Sequence, residues 1–332
     1  MRVALLGGTR FIGRAVLAEL LARGHDPLVI HRGRHEPDDL PEVPHLHVDR
    51  ERLAEESSAL ERFAPEAVID LFAMTAKATE PVVAAFPADL PMVTASSMDV
   101  YRAFGAVLSG EQTDAVPIDE RSPVRDVRYP YRGRDRGGGD RGMDLDLDRY
   151  DKLDVEEIAL ARGAIVVRLP IVYGEHDTQR REWPVLARAR AGRRRIPVGA
   201  ANSAWSRGYV GDVARGLVQA AEAGDAVRGE VFNLCEERTP PAGLWVRRIL
   251  AAAGAADIEL VRVPEDLVPA DLIETRAHPQ PMIVSAAKAR ERLGWRESDP
   301  EEALRRSVAW HLEHPSDTPF DPAADDAALA AA

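Results

Sequence analysis

Apolar positions in the first third of the chain fall into short runs separated by stretches of helical spacing. Residues 3–6, 28–31, 67–72 and 91–96 are mostly apolar and bounded by turn formers, the pattern of strands buried on both faces. Between them, residues 14–23 place Val16, Leu17, Leu20 and Leu21 on one helical face before a Gly24 stop, and residues 52–63 and 76–85 also read as helical. The alternation predicts β-α-β units with right-handed crossovers. The fold class is therefore α/β, a Rossmann-type doubly wound parallel sheet covered on both faces, with its site at the C-terminal ends of the strands.

From residue 102 to 148 the rhythm breaks. The stretch 129–141 is rich in Gly, Arg and Asp and includes Gly137, Gly138 and Gly139, so it reads as a long mobile excursion near the site or as plain disorder. Helices are predicted again at 152–161, 213–223, 243–253 and 300–313, with strands at 165–169 and 231–234. Residues 321–332, rich in Ala and Asp, are expected to fray. No internal repeat is visible.

Composition narrows the classes. A chain of 332 residues with 45% apolar and 30% charged residues has the make-up of a large water-soluble α/β protein. A net charge of −12 makes nucleic acid an unlikely partner, because non-specific binding needs a basic surface. Arg188, Arg190, Arg193, Arg194 and Arg195 cluster locally, and a solvated helix end is preferred there to a basic groove. The single cysteine, Cys235, lies in an apolar run and reads as a core thiol, which excludes a disulfide framework. There is no apolar run long enough for a membrane span, and the opening is too short for a signal peptide, so a cytoplasmic location is expected. No metal-ligand spacing and no nucleophile–base motif stand out.

The first chemical motif is Gly7-Gly8-Thr9-Arg10-Phe11-Ile12-Gly13, between the first strand and the first helix. Glycines there allow a tight turn and close helix packing, and the helix start offers N–H groups to a pyrophosphate. The second strand ends at His31-Arg32-Gly33-Arg34, where an NAD-preferring site normally carries an acidic residue. A cationic cluster in that place suits the 2′-phosphate of NADP, with NAD as the other candidate.

With these residues in view, the chain resembles the extended short-chain dehydrogenase/reductases, the NAD(P)-dependent epimerase/dehydratase group, from residue 1 to about residue 315. Asp49 resembles the family's adenine-contacting acid, and Asp70 falls where the fourth strand meets the cofactor. Ser96-Ser97-Met98-Asp99-Val100-Tyr101 resembles the Ser-Ser-x-x-Val-Tyr element, with Ser97 on its catalytic serine. Arg168-Leu-Pro170-Ile-Val-Tyr-Gly174 resembles the segment lining the nicotinamide, and Tyr209-Val-Gly-Asp-Val-Ala214 the Val-x-Asp-Val-Ala helix start. Asn233 and Leu293-Gly294-Trp295 also match in order and spacing. The resemblance implies a dinucleotide-binding domain over residues 1–173, completed by the strands near 165–169 and 231–234. A mainly substrate-binding region over 174–315 and a flexible tail over 316–332 follow. It also implies a small-molecule substrate, no membrane, and a homodimer paired through the helix that carries the catalytic lysine.

The catalytic pair departs from the family's Tyr-x-x-x-Lys. Lysine occurs only at Lys77, Lys152 and Lys288 among 43 cationic residues, so Lys152 is not casual and reads as the family lysine. Its alternative is an i,i+4 pair with Glu156. Four residues earlier stands Asp148, too acidic an ordinary carboxyl to protonate an alkoxide, and the nearest tyrosine is Tyr150. On a continuous helix Tyr150 points away from the Lys152 face. Either the helix begins near residue 151 and frees Tyr150, or Tyr101, Tyr129 or Tyr131 supplies the proton. On the substrate side, Met98, Tyr101, His176, Trp205 and Arg207 are the candidates. Trp205 takes the place of the family's diphosphate-clamping arginine, with Arg207 two positions along.

Three functions stay open at this level. One is an oxidoreductase or epimerase/dehydratase using Ser97, Tyr150 and Lys152, acting on a hydroxyl-bearing small molecule such as a nucleotide sugar. The second is an NADP-binding regulator without catalysis. The third is an RNA-binding relative, since plastid stem-loop binding proteins share a similar Gly-Gly-Thr-Arg-Phe-Ile-Gly opening.

Overall fold

The computed structural model describes residues 1–133 and 146–332. The first half alternates strand and helix: β1 (Arg2–Leu6), α1 (Phe11–Ala22), β2 (Asp26–His31), β3 (His45–His47), α2 (Ser57–Phe63), β4 (Ala67–Asp70), α3 (Ala76–Ala85) and β5 (Met92–Ser97). After α4 (Arg102–Ser109) come α5 (Lys152–Ala161), β6 (Ile165–Leu169), β7 (Ile171–Tyr173), α6 (Trp183–Arg190), β8 (Arg195–Val198) and β9 (Arg207–Tyr209). The chain continues through α7 (Val210–Ala223), β10 (Val231–Asn233), α8 (Ala242–Ala252), β11 (Glu259–Arg262), α9 (Ala287–Arg292), α10 (Pro300–Glu313) and α11 (Pro322–Ala330).

Seven parallel strands form the central sheet in the order β10-β6-β5-β4-β1-β2-β3. Strand order reverses between β1 and β4, which opens a crevice beyond their carboxyl ends. The β1 side chains show why both faces are apolar. Val3 and Leu5 pack with Val16, Leu17 and Leu20 of α1 and with Val213 and Leu217 of α7. Ala4 and Leu6 pack on the other face with Leu60 of α2, Val82 of α3 and Ala159 of α5. Two small parallel pairs, β7–β9 and β8–β11, organise the later residues, which contribute β10 back to the main sheet. No helix among the described residues is long and apolar enough to cross a membrane.

Two expectations change. The tail expected to be flexible over 316–332 instead forms α11, and its Asp325, wholly buried, pairs with Arg188 at 2.7 Å. Arg188 is correspondingly not part of a solvated helix end. Its guanidinium is buried between Asp325 and Asp271, while Arg193, Arg194 and Arg195 pair with Asp326, Asp257 and Glu259. Most of the predicted excursion at 129–141 lies outside the described residues. Cys235 is a buried thiol, pushed up to about 12 by burial, and its Sγ donates to the Val284 carbonyl at 3.0 Å.

Candidate functional site

The turn from β1 to α1 forms a cradle that only glycine can line. Gly7 has φ of +93°, and its N–H donates to the Ile30 carbonyl at 3.1 Å. A Cβ on Gly13 would stand 1.9 Å from the Gly7 carbonyl oxygen, and one on Gly8 would meet Val29 at 2.8 Å. Thr9 is buried, and Arg10, Phe11 and Ile12 are partly buried at the helix entry. Arg10 stands at the N-cap of α1 but its side chain does not cap the helix, and the first turn holds no acidic residue. The opening N–H groups therefore suit an anion.

At the end of β2 the charges differ from the simplest reading. His31 is pressed against two other imidazoles, with Nε2 2.7 Å from His45 Nδ1. Burial, then His45 and His47, push it down to about 4 against the pull of Glu36, so it is neutral at physiological pH. Cationic character at this corner comes from Arg32 and Arg34, both exposed. Asp49 caps the 3-10 turn Arg50–Glu56 by accepting the Glu51 N–H at 3.0 Å. Asp70, buried at the end of β4, receives Arg50 at 2.5 and 3.1 Å and the Phe72 N–H at 3.1 Å. Its carboxylate is thus held in place by protein groups.

The catalytic candidates meet at the end of β5. Helix α5 starts at Lys152, with the extended Asp151 as its cap, so Tyr150 lies before the helix. That frees it from the helical geometry that would turn it away from Lys152. Tyr150 is buried and its hydroxyl donates to Asp99 Oδ2 at 2.8 Å, while the Asp99 N–H donates to Ser97 Oγ at 3.2 Å. Tyr131 donates to the same Asp99 oxygen at 3.2 Å. Arg125 secures both flanks, reaching the Asp99 carbonyl at 3.0 Å and the Asp151 carboxylate. Burial raises the Tyr150 phenol well above its ordinary value, with the Asp99 charge adding to it. Burial also raises Asp99, against the hydrogen bond from Tyr150 and the charges of Arg125 and Lys152.

Lys152 donates from Nζ to the carbonyls of Ala73 at 2.5 Å and Ala95 at 2.9 Å. Burial lowers it to about 8, opposed by Asp99 and Asp70. The alternative pairing with Glu156 is not found. Glu156 is taken instead by Arg168 at 2.7 and 2.9 Å and by the Ser96 hydroxyl at 2.6 Å.

The substrate-side candidates separate. Ring contacts run from Tyr150 to Tyr131 (5.3 Å), Phe104 (6.1 Å) and Trp205 (6.2 Å), which joins Trp205 to the catalytic group. Arg207 is buried on β9 over the Trp245 ring, with Glu274 at 3.7 Å and the Trp205 carbonyl at 3.1 Å. Met98 is buried in the core. Tyr101 is wholly buried and donates to Asn233 at 2.8 Å, and Tyr129 sits under Arg132 at 4.0 Å. His176, at φ +64°, packs on Trp310 with ring centroids 4.8 Å apart. Pro170, between β6 and β7, lies against Gly208, where a Cβ would come within 3.0 Å of it.

Sequence reasoning missed Asp99 as a site residue. The signal was its place two residues after Ser97, where a 3-10 turn over Met98–Val100 folds it back beneath the serine. Arg125 carried no local signal at all, since its partner Asp151 lies 26 residues away.

Residues 152–235 match the model of the NAD dependent epimerase/dehydratase family. A chloroplast stem-loop binding protein of 41 kDa from Arabidopsis thaliana is 25% identical over 315 residues, covering 89% of this chain and 75% of that protein. Among solved structures, dTDP-glucose 4,6-dehydratase from Bacillus anthracis, in complex with NAD, superposes with a TM-score of 0.71 at 15% identity, over 95% of this chain and 97% of that one. UDP-glucose 4-epimerase from Thermotoga maritima gives a TM-score of 0.68 at 19% identity, over 95% and 100% of the two chains. The chain thus has the fold of the extended short-chain dehydrogenase/reductases, and its segment 152–235 carries the signature of the NAD dependent epimerase/dehydratase family.

Proposed function

We propose that the protein is a nicotinamide-dependent epimerase, dehydratase or reductase acting on a hydroxyl-bearing small molecule, with nucleotide sugars as the substrate class. The observation that carries the reading is the meeting of Ser97, Asp99, Tyr150 and Lys152 at the end of β5. The Gly7–Gly13 cradle and the uncapped start of α1 fit a dinucleotide pyrophosphate. Arg32 and Arg34 support NADP as the preferred form, with Asp49, Asp70 and Pro170 along the rest of the crevice. When bound, the nicotinamide supplies the hydride acceptor and donor.

The chain's own part is proton handling. Tyr150 donates to Asp99 across 2.8 Å and keeps its proton, because burial and the Asp99 charge both hold it on the phenol, so Tyr150 serves as the acid that protonates a substrate oxygen. Asp99 fixes the direction of the phenol, and Lys152, its Nζ held on the Ala73 and Ala95 carbonyls, places a buried cation beside Asp99. Ser97 holds the reacting oxygen by a hydrogen bond. Arg207, a buried cation with one carboxylate at 3.7 Å, and the Trp205 ring support a diphosphate sugar on the far side. The homodimer suggested by the family resemblance would pair through α5, the helix that carries Lys152.

Product formation from a panel of nucleotide sugars, followed by NMR with NADP or NAD present, tests this. Tyr150→Phe should cut turnover by about 10²–10⁴-fold with dinucleotide affinity unchanged. Wild-type turnover in that variant would remove the mechanism. RNA binding, suggested by the Arabidopsis relative, is the less favoured reading. The chain is strongly acidic, and the arginines at 188 and 193–195 are already paired with carboxylates.

A further inference from the structure

We infer that His31, His45, His47 and Glu36 form a transition-metal site, of the kind that takes Zn²⁺, at the outer edge of the sheet. The sequence shows no metal-ligand spacing there, because the pairing register assembles the group. In the parallel ladder His31 of β2 lies opposite His47 of β3, and Val29 lies opposite His45. Residues two apart on a strand share a face, so all three imidazoles project to the same side. Glu36 reaches the group from the connection between the two strands.

The donor atoms converge. His31 Nε2 is 2.7 Å from His45 Nδ1, and His47 Nε2 is 2.9 Å from Glu36 Oε2. Glu36 oxygens stand 3.4 Å from His45 Nδ1 and 3.7 Å from His31 Nε2. One ligand atom from each residue lies within 4.8 Å of all the others. Tetrahedral zinc with bonds of about 2.0–2.1 Å needs donors about 3.3–3.4 Å apart, which falls inside this spread. Three imidazoles and a carboxylate are a borderline N/O donor set, suited to Zn²⁺ and poorly suited to Mg²⁺ or Ca²⁺. His31 and His45 are largely covered, whereas His47 and Glu36 are 53% and 40% exposed at the side chain, so an ion can enter from solvent.

Binding has a local consequence. The Gly33 N–H now donates to His31 Nδ1 at 3.2 Å. An imidazole that gives its Nε2 lone pair to a metal carries its proton on Nδ1, so this contact must break. Gly33, at φ +71°, gives the turn room to do so. The ion would pin the 32–44 connection, which carries Arg32 and Arg34, to the edge strand.

The test uses full-length, tag-free protein stripped with a chelator, with zinc titrated against a chromophoric chelator. We expect one equivalent bound with a dissociation constant below about 1 µM, and weakening of about tenfold or more for each ligand removed. The variants are the double substitution His45→Gln/His47→Gln, Glu36→Gln, and, as a control outside the cluster, His278→Gln, whose ring packs on Trp205 at 5.8 Å. A shift of the Gly33 amide resonance on zinc addition should accompany binding. Equal zinc affinity in the wild type and the double variant overturns the proposal. If the double variant lacks a thermal transition, Glu36→Gln, on an exposed side chain, decides the matter in the same way.

Discussion

Replacing Arg188 by methionine should release the C-terminal helix while leaving the sheet almost untouched. The guanidinium is wholly buried and holds Asp325, itself wholly buried, at 2.7 Å, with Asp271 at 2.7 Å on the other side. Two responses compete in the variant. If α11 stays docked, the stranded Asp325 carboxylate costs about 3–5 kcal/mol, the usual penalty for half of a buried ion pair. If α11 leaves, Ala328 and the half-buried Leu329 give up roughly 2 kcal/mol of apolar contact. The second response wins. Hydrogen exchange should therefore show the amides of 322–330 losing protection, while urea unfolding of the sheet changes by less than about 2 kcal/mol. The double variant Arg188→Met/Asp325→Leu, which strands no charge, should recover that protection. Amides of α11 that stay protected in the single variant would refute the reasoning.

Three further outcomes follow from the site. Gly13→Ala places a methyl 1.9 Å from the Gly7 carbonyl oxygen, so calorimetry should find dinucleotide binding lost and stability lower by about 1–3 kcal/mol. Lys152→Met should abolish turnover yet stabilise the fold near neutral pH by roughly 1–3 kcal/mol. The sign follows from a folded value of about 8 against an ordinary 10.5, since the unfolded chain holds that proton more tightly. The gain is full below about pH 8 and fades towards pH 10.5, which chemical denaturation across that range would check. Cys235, 1% exposed and raised to about 12, should ignore thiol reagents in the native state and react only on unfolding, so Cys235→Ala leaves activity unchanged.

Elements with strong periodicity were legible in the sequence. Residues 76–85, 152–161, 165–169 and 300–313 coincide with α3, α5, β6 and α10 because each carries its own buried stripe or apolar run. Strands β7 and β9, of three residues each, have no room for a period and form only by pairing with one another. Helix α11 was hidden because its composition is that of a frayed end, and only the distant Arg188 makes its aspartate a core residue. In the site, Ser97 and Lys152 could be read from motif and residue usage. The start of α5 at Lys152 decided the place of Tyr150, and that boundary rests on the Asp151 cap and Arg125 rather than on any apolar pattern.

The Arg188–Asp325 contact joins residues 137 positions apart and also constrains the order of assembly during synthesis. The main sheet closes once β10, ending at Asn233, has formed, so the dinucleotide crevice can be complete on a growing chain. The region around α6 cannot settle then, because its buried cation lacks one of its carboxylates until residue 325 has emerged. A chain stalled before that point would expose an unmatched charge in a half-built interior. Such chains should present α6 to proteases or chaperones while already able to bind a dinucleotide.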